Sequence, residues 1–373
     1  MEIKHFKIVL SLIQLLWIGA MPQVIAAQTP NTLLLKREVA LSWNPASEQV
    51  VFAPSSGGTW YPRLLILSNG HWLCAYDTNE GASNTCVRIS RSTDAGKTWF
   101  SLSQASFGSG NAANGELIEL PGGEILCAYR IVDGDTKTLK VSRSTDGGST
   151  WQPLSTIISN TDGVWEPQMI RKADGQLLVF YAQEGDVDGN DQVIEMQRSD
   201  DNGKSWHSPQ VVSRQAGPRD GMPVATLLAN GDILVVLEGH NVKRAGQFCT
   251  WSVRSTNGGR TWGPRRLVYA PADSSRRAVA PYIVAVPAGP IFVSFQTDED
   301  DKTRLKLGVV SSIDNGRTWT VQPKPFQQNT AGQYSWNALC MEDPNTLIAV
   351  TAASGSGQHQ IKLIKAAVSQ SQQ

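Results

Sequence analysis

Ser92-Thr-Asp-Ala-Gly-Lys-Thr-Trp99 returns as Ser144-Thr-Asp-Gly-Gly-Ser-Thr-Trp151, Ser199-Asp-Asp-Asn-Gly-Lys-Ser-Trp206, Ser255-Thr-Asn-Gly-Gly-Arg-Thr-Trp262 and Ser312-Ile-Asp-Asn-Gly-Arg-Thr-Trp319. The third positions, Asp94, Asp146, Asp201, Asn257 and Asp314, are 52, 55, 56 and 57 residues apart. A period of this size marks stacked supersecondary units. The Ser and Asp side chains can accept backbone N–H bonds in a tight turn, the Gly supplies positive φ, and the Trp folds back over an apolar surface. Residues needed at every turn are structural, so the repeated Asp is not read as catalytic.

Outward from each box lies a second repeated element, a Gly or Asn turn followed by an apolar run. The turns are at Gly70, Gly123, Gly175, Gly231, Gly289 and Asn345, and the last has no box after it. The runs are β-like, bounded by turn residues and without helical spacing. Each unit reads as four antiparallel strands, with the Gly turn joining strands one and two and the box joining strands three and four. Six units make an all-β, six-bladed β-propeller. The last unit ends on Gln360 to Val368 as its third strand, and Thr32 to Trp43 is expected to supply its fourth and close the ring. The boxes resemble the Asp-box repeat of sialidases and related propellers.

Composition sets the outer limits. The 373 residues carry 33 Lys+Arg against 33 Asp+Glu, with 40% hydrophobic residues. No basic run could neutralise a phosphate backbone, which argues against nucleic acid. Lys4, His5 and Lys7 precede an apolar run from Ile8 to Met21 and then Ala26-Ala27. That order reads as a secretory signal over residues 1–27, leaving 28–373 as one propeller domain and export to the periplasm or outside the cell. The competing reading is a membrane anchor, for which the run is short of the ~20 residues a spanning helix needs. Of the five cysteines, Cys74, Cys127, Cys249 and Cys340 sit in apolar runs as small buried hydrophobes, and Cys86 could pair with Cys74 across a hairpin. No Cys or His spacing suits a metal, and no cofactor is expected. The acidic stretches Asp186–Asp191 and Asp298–Asp301 read as solvated hairpin turns rather than Ca²⁺ loops.

Aligning the units on their turns exposes the departures. Nine residues before the turn stand Tyr61, Asn114, Glu166, Met222, Ala280 and Trp336; seven after it stand Asp77, Arg130, Ala182, Glu238, Gln296 and Ala352. Strands one and two are antiparallel, so both sets fall at one face of the disc, opposite the boxes. The polar exceptions Glu166, Glu238, Asp77, Arg130 and Gln296 are read as more than a packed repeat needs. Two carboxylates facing a funnel suit glycoside hydrolysis, one protonating the leaving oxygen while the other attacks or activates water. Glu166 lies between Trp165 and Pro167, an apolar setting that favours the acid/base role. Glu238 ends an apolar strand and suits the nucleophile. Trp60, Tyr61, Trp165, Tyr282 and Trp336 could stack on sugar faces.

Trp165-Glu-Pro-Gln168, Arg219-Asp-Gly-Met-Pro223, Leu237-Glu-Gly-His240 and Tyr334-Ser-Trp-Asn337 resemble the family 93 glycoside hydrolases, exo-α-L-1,5-arabinanases on a sialidase-type propeller. The resemblance implies a retaining enzyme that releases arabinobiose from the non-reducing end of linear α-1,5-L-arabinan; with the export signal, a secreted monomer is expected. Carried over, Glu166 is the acid/base, Glu238 the nucleophile and Tyr334 a neighbour that orients or stabilises it. Arg63, Asp77, Arg130, Trp165, Arg219, Asp220, His240 and Trp336 complete the expected substrate-binding set. Two other readings stay open. A sialidase would press Tyr334, Glu238, Asp77, Arg63, Arg219 and Arg277 into service, although Tyr61-Pro-Arg-Leu64 departs from that family's Arg-Ile-Pro order and Glu166 is left without a job. A non-catalytic carbohydrate-binding propeller needs no acidic pair at all.

Overall fold

The apolar run after each turn is expected to fold straight back along the strand before it, and it does. Gly70, Gly123, Gly175, Gly231 and Gly289 each donate their N–H to the carbonyl three residues earlier, at 2.9 to 3.1 Å. The computed structural model describes residues 37–185, 192–215, 219–241, 243, 246–327, 332–355 and 358–372. Residues 1–27, read as an export signal, lie outside this set, as does the Asp186–Asp191 stretch.

The described residues form six four-stranded antiparallel sheets, five of them with their strands in sequence order. In blade 1 these are Thr59–Ile66, Trp72–Thr78, Cys86–Ser92 and Phe100–Gln104. Blades 2 to 5 repeat the pattern with first strands Asn111–Glu119, Val164–Arg171, Asp220–Leu227 and Ala278–Ala285. Blade 6 joins Gln333–Asp343, Thr346–Gly355 and Gln358–Gln372 to Arg37–Phe52, which pairs on the outer edge. The closing strand therefore comes from the N-terminal side, as expected, although its described part runs from Arg37 to Phe52 and bulges between Asn44 and Gln49. Each first strand packs on the first strands of its neighbours, and blade 6 meets blade 1, so the ring is closed around its axis.

Second strands are buried along nearly their whole length because a neighbouring blade covers each face, which is why they read as continuous apolar runs rather than alternating ones. Tyr76, Tyr129 and Tyr181 occupy equivalent places in blades 1 to 3 and are fully buried. Each contributes on the order of 1.5–3 kcal/mol of apolar burial. The core is accordingly a set of clusters lying between adjacent sheets.

The boxes are closed units. Gly96 N–H donates to Ser92 Oγ (2.9 Å), Thr98 N–H and Oγ1–H donate to Asp94 Oδ1 (2.9 Å) and Oδ2 (2.6 Å), and Trp99 Nε1–H donates to Gly96 O (3.1 Å). These donors hold the Asp94 carboxyl at about 2, below the ordinary Asp range. Asn257 replaces Asp in blade 4 without loss, because its Nδ2–H donates to Thr261 Oγ1 (2.7 Å) where an Asp would accept. Ser92 pairs with Trp72 at one end of the sheet, and Asp77 with Val87 toward the other, so boxes and candidate site occupy opposite faces. All five cysteines are free. The Cys74–Cys86 pairing that the hairpin left open is not formed, because Cys86 faces Thr78, and Cys74 faces Ser90, four residues along the same strand.

Candidate active site

The six positions aligned nine residues before the turn share a backbone device. Every first strand slips register there, between Trp60 and Arg63, Ala113 and Glu116, Trp165 and Gln168, Gly221 and Val224, Val279 and Tyr282, and Ser335 and Ala338. Tyr61, Asn114, Glu166, Met222, Ala280 and Trp336 are all left-handed, with φ between 49° and 60°. A side chain in that region costs on the order of 1–3 kcal/mol, so the surroundings must hold it. They do so by capping the bulge amide from a neighbouring blade. Asn114 N–H donates to Asp77 Oδ2 (3.0 Å), Met222 N–H to Glu166 Oε2 (3.3 Å), Ala280 N–H to Glu238 Oε2 (2.8 Å) and Trp336 N–H to Gln296 Oε1 (2.9 Å).

This corrects one inference from the repeat. Asp77, Glu238 and Gln296 are not surplus to a packed repeat, because each gives one oxygen to the bulge of the next blade. Gln296, 6% exposed, is accounted for by that bond. Blade 3 has Ala182 at the capping position, and Glu166 supplies the missing acceptor from the first strand instead.

Glu166 and Glu238 converge on one peptide. Glu238 lies opposite Gly221 in the strand pairing, and Glu166 accepts from the next amide, that of Met222. Gly221 is closely surrounded: a Cβ there would stand 2.6 Å from Gln192 Oε1, 3.3 Å from Glu238 Oε1 and 3.4 Å from Arg219 Nη2. Burial, and then the Glu238 charge, raise the Glu166 carboxyl to about 7, against Arg219, the Met222 N–H and Arg130. Burial also raises Glu238, opposed by the Ala280 N–H, Arg219 and Arg277. Arg219 Nη2 stands 3.6 Å from Glu238 Oε1. One carboxyl is thus disposed to keep its proton beside another that has cationic support, the environment that separates an acid from a nucleophile.

Around this pair the structure brings together Asp77, Arg130, Trp165, Arg219 and Trp336. The Arg130 guanidinium lies 4.5 Å from the Trp165 ring, and Arg130 feels the charges of Asp77 and Glu166. Tyr61, Met222 and Ala280 form a small apolar cluster with Trp60 and Trp336 packed on it. His240 ends the same strand as Glu238 and sets its ring against Phe248 at 4.0 Å.

Three expected members are placed elsewhere. Arg63, 2% exposed, pairs with Glu116 (3.0 Å) and lies 3.8 Å from the Tyr61 ring, so its guanidinium is spent inside the ring. Asp220 is wholly buried between Arg265 (2.6 Å) and Ser213 (2.6 Å), a structural tie behind the Glu238 strand. Tyr334 stacks on Phe326 at 5.0 Å, with Lys306 over its ring and Glu48 as the charge that bears on it, not Glu238. The bulge is the reason. It breaks the two-residue alternation of the strand, so the facing of side chains near it cannot be counted from the motif.

Sequence reading passed over Glu116, whose carboxyl joins Arg63 to the Tyr282 hydroxyl (3.2 Å) across blades 1, 2 and 5. Its signal was a charged residue two places past the bulge of a first strand. In the acidic stretch near blade 5, Asp298 pairs with Arg277 (3.5 Å), Asp300 with Lys324 (2.6 Å) and Asp301 with Arg304 (3.3 Å). Among the described residues no three His, Cys, Asp or Glu side chains gather as a metal would require.

Residues 158–363, more than half of the chain, match the family described as BNR repeat-like domain. A sialidase of Micromonospora viridifaciens is 23% identical over 317 residues, covering 74% of this chain and 47% of its own length, so the chain spans about half of that relative. Among solved structures, the α-L-arabinanase of Penicillium chrysogenum in complex with arabinobiose aligns with a TM-score of 0.70 at 21% identity, over 86% of this chain and 98% of that one. The family 93 α-L-arabinofuranosidase of Fusarium graminearum, also with arabinobiose, aligns at 0.68 and 21% identity, over 85% and 97%. At these identities the structural likeness establishes a shared fold.

Proposed function

The chain belongs to the BNR repeat-like domain family, and from that premise we propose that it is a glycoside hydrolase, a retaining, exo-acting enzyme on linear α-1,5-L-arabinan that releases arabinobiose. One observation carries the reading: a partly buried carboxyl from blade 3 and a buried one from blade 4 flank the Gly221-Met222 peptide, the first raised to about 7 and the second beside Arg219. Glu166 protonates the departing glycosidic oxygen while Glu238 attacks the anomeric carbon. Glu166, then ionised, takes a proton from the water that hydrolyses the glycosyl-enzyme ester. The likeness to two arabinose-acting structures, both with arabinobiose in the complex, supports the substrate class.

A sialidase reading asks Arg63 to grip a carboxylate and Tyr334 to be the nucleophile. Arg63 is committed to Glu116, and Tyr334 lies among Phe326, Lys306 and Glu48. The N-terminal pattern Lys4 to Ala27 makes the enzyme an exported one, and a single propeller acting alone needs no oligomer. Incubation with debranched arabinan and with sialyllactose separates the readings. Release of arabinobiose with the anomeric configuration first retained, followed by proton NMR, supports the proposal; release of sialic acid, or of nothing, ends it. A mature N-terminus near Ala27 in exported material tests the localisation.

A further inference from the structure

Equivalent positions at the ends of the second strands meet different fates. Glu238 and Gln296 face the amide of the following bulge and are held there. Asp77 makes the same bond with Oδ2, yet its Oδ1 is buried without a hydrogen-bond partner in a residue only 5% exposed. Arg130, at the same place in blade 2, has the Trp165 ring beneath it, and no hydrogen bond or ion pair is found for it among the described residues. Arg63, Arg254, Arg265, Arg276 and Arg277 all reach a carboxylate. Arg130 Nε and Asp77 Oδ1 are thus buried without a hydrogen-bond partner while the two charges act on each other, and such atoms are costly to keep unless something completes them.

We propose that Asp77 and Arg130 form a hydroxyl-reading pair for the sugar ring bound beside Glu166, and that they select a neutral ring with adjacent hydroxyls over a carboxylated one. The proposal rests on the glycosidase reading of this face of the disc. A hydroxyl both donates and accepts, so adjacent hydroxyls can satisfy an acceptor and a cationic donor placed side by side. A carboxylate only accepts; it would gain Arg130 but offer no donor to Asp77, whose carboxyl, raised by burial to about 7, repels it once ionised. The apolar group of Tyr61, Met222, Ala280 and Trp336 offers the less polar face of a ring its contact. Selection by hydrogen bonds of this kind discriminates strongly, because the wrong ligand leaves buried polar atoms unpaired.

The test is isothermal titration of the full chain with arabinobiose and, separately, with N-acetylneuraminic acid, on the parent and on Asp77→Asn and Arg130→Gln. The expected result is binding of arabinobiose, weakened about tenfold or more by each substitution, and binding of N-acetylneuraminic acid at least about a hundredfold weaker than that of arabinobiose. Arg130→Gln breaks no hydrogen bond within the protein and gives up only the stack on Trp165, so it tests the pair even if Asp77→Asn disturbs the Asn114 cap. Acid-sugar binding that is lost in Arg130→Gln, arabinobiose binding unchanged within about threefold in both variants, or no binding of either sugar overturns the proposal. Turnover of debranched arabinan is measured alongside. Binding that depends on the pair without turnover sinks the enzyme reading alone, and turnover with KM unmoved by either substitution sinks the pair alone.

Discussion

The two faces of the disc are made from the same four-stranded unit, and they differ in where their polar side chains end. On the box face each turn is closed by its own residues, as Ser144 and Thr150 hold Asp146 and the Trp151 indole returns to Gly148; the bonds that cross to the next blade recur there, Ser103 meeting Gly148 O and the Trp151 indole just as Ser155 meets Gly203 O and the Trp206 indole. On the opposite face polar groups reach between blades, and some are left over, as at Asp77 Oδ1 and Arg130. A bonding pattern that recurs from blade to blade is architecture. Repetition that breaks, with buried polar atoms unspent, is where a ligand belongs.

The sharpest way to break this contrast is Glu238→Gln. The amide can still accept from Ala280 N–H, so the thermal midpoint should hold while kcat on arabinan falls by about 10²–10⁴; a variant that stays active removes the nucleophile from the scheme. Gly221→Ala comes next. Its Cβ would displace the Gln192 side chain, whose Oε1 lies 2.6 Å away, and press on Glu238 Oε1 and Arg219 Nη2 at 3.3 and 3.4 Å, and kcat should drop about ten- to a hundredfold. An unaffected rate means the pair tolerates displacement.

The pH profile sharpens the same point. Glu166 must hold its proton to act as acid and its carboxyl lies at about 7, so the rate should fall about tenfold per pH unit above that value. Glu238 must be ionised and is raised by burial, so the acid limb should lie above the ordinary Glu range. These limbs belong to the coupled pair rather than to one residue. A rate that keeps climbing well past pH 7 contradicts the acid assignment. The smallest effect is on the box face: Asp146→Ala should cost about 1–3 kcal/mol in denaturant unfolding and leave kcat per folded molecule unaltered. A change in kcat there would mean that the faces are not independent.

How much of this could be read in the chain differs by residue. The boxes, the Gly turns and the acidic pair stand out because they repeat, or fail to repeat, at fixed offsets. The bulge was hidden because Tyr61, Met222 and Trp336 are not residues that announce a left-handed backbone, and they adopt it only because side chains from neighbouring blades cap or enclose it. Arg63, Asp220 and Tyr334 were misplaced for the same cause, since each lies within two residues of that bulge and its facing depends on the slip. Asp77 and Gln296 looked like plain departures until their oxygens were found on the next blade's amides.

By itself the sequence determined the six-fold strand order, the face on which the departures collect and the two glutamates that stand out there, because turn chemistry and strand alternation are local and repeat with the chain. Only the tertiary structure decided which charged side chains are spent between blades and which remain for a ligand. That distinction is a matter of partners drawn from segments up to 274 residues apart, as Arg63 and the Asn337 carbonyl are, and no spacing within one unit records it.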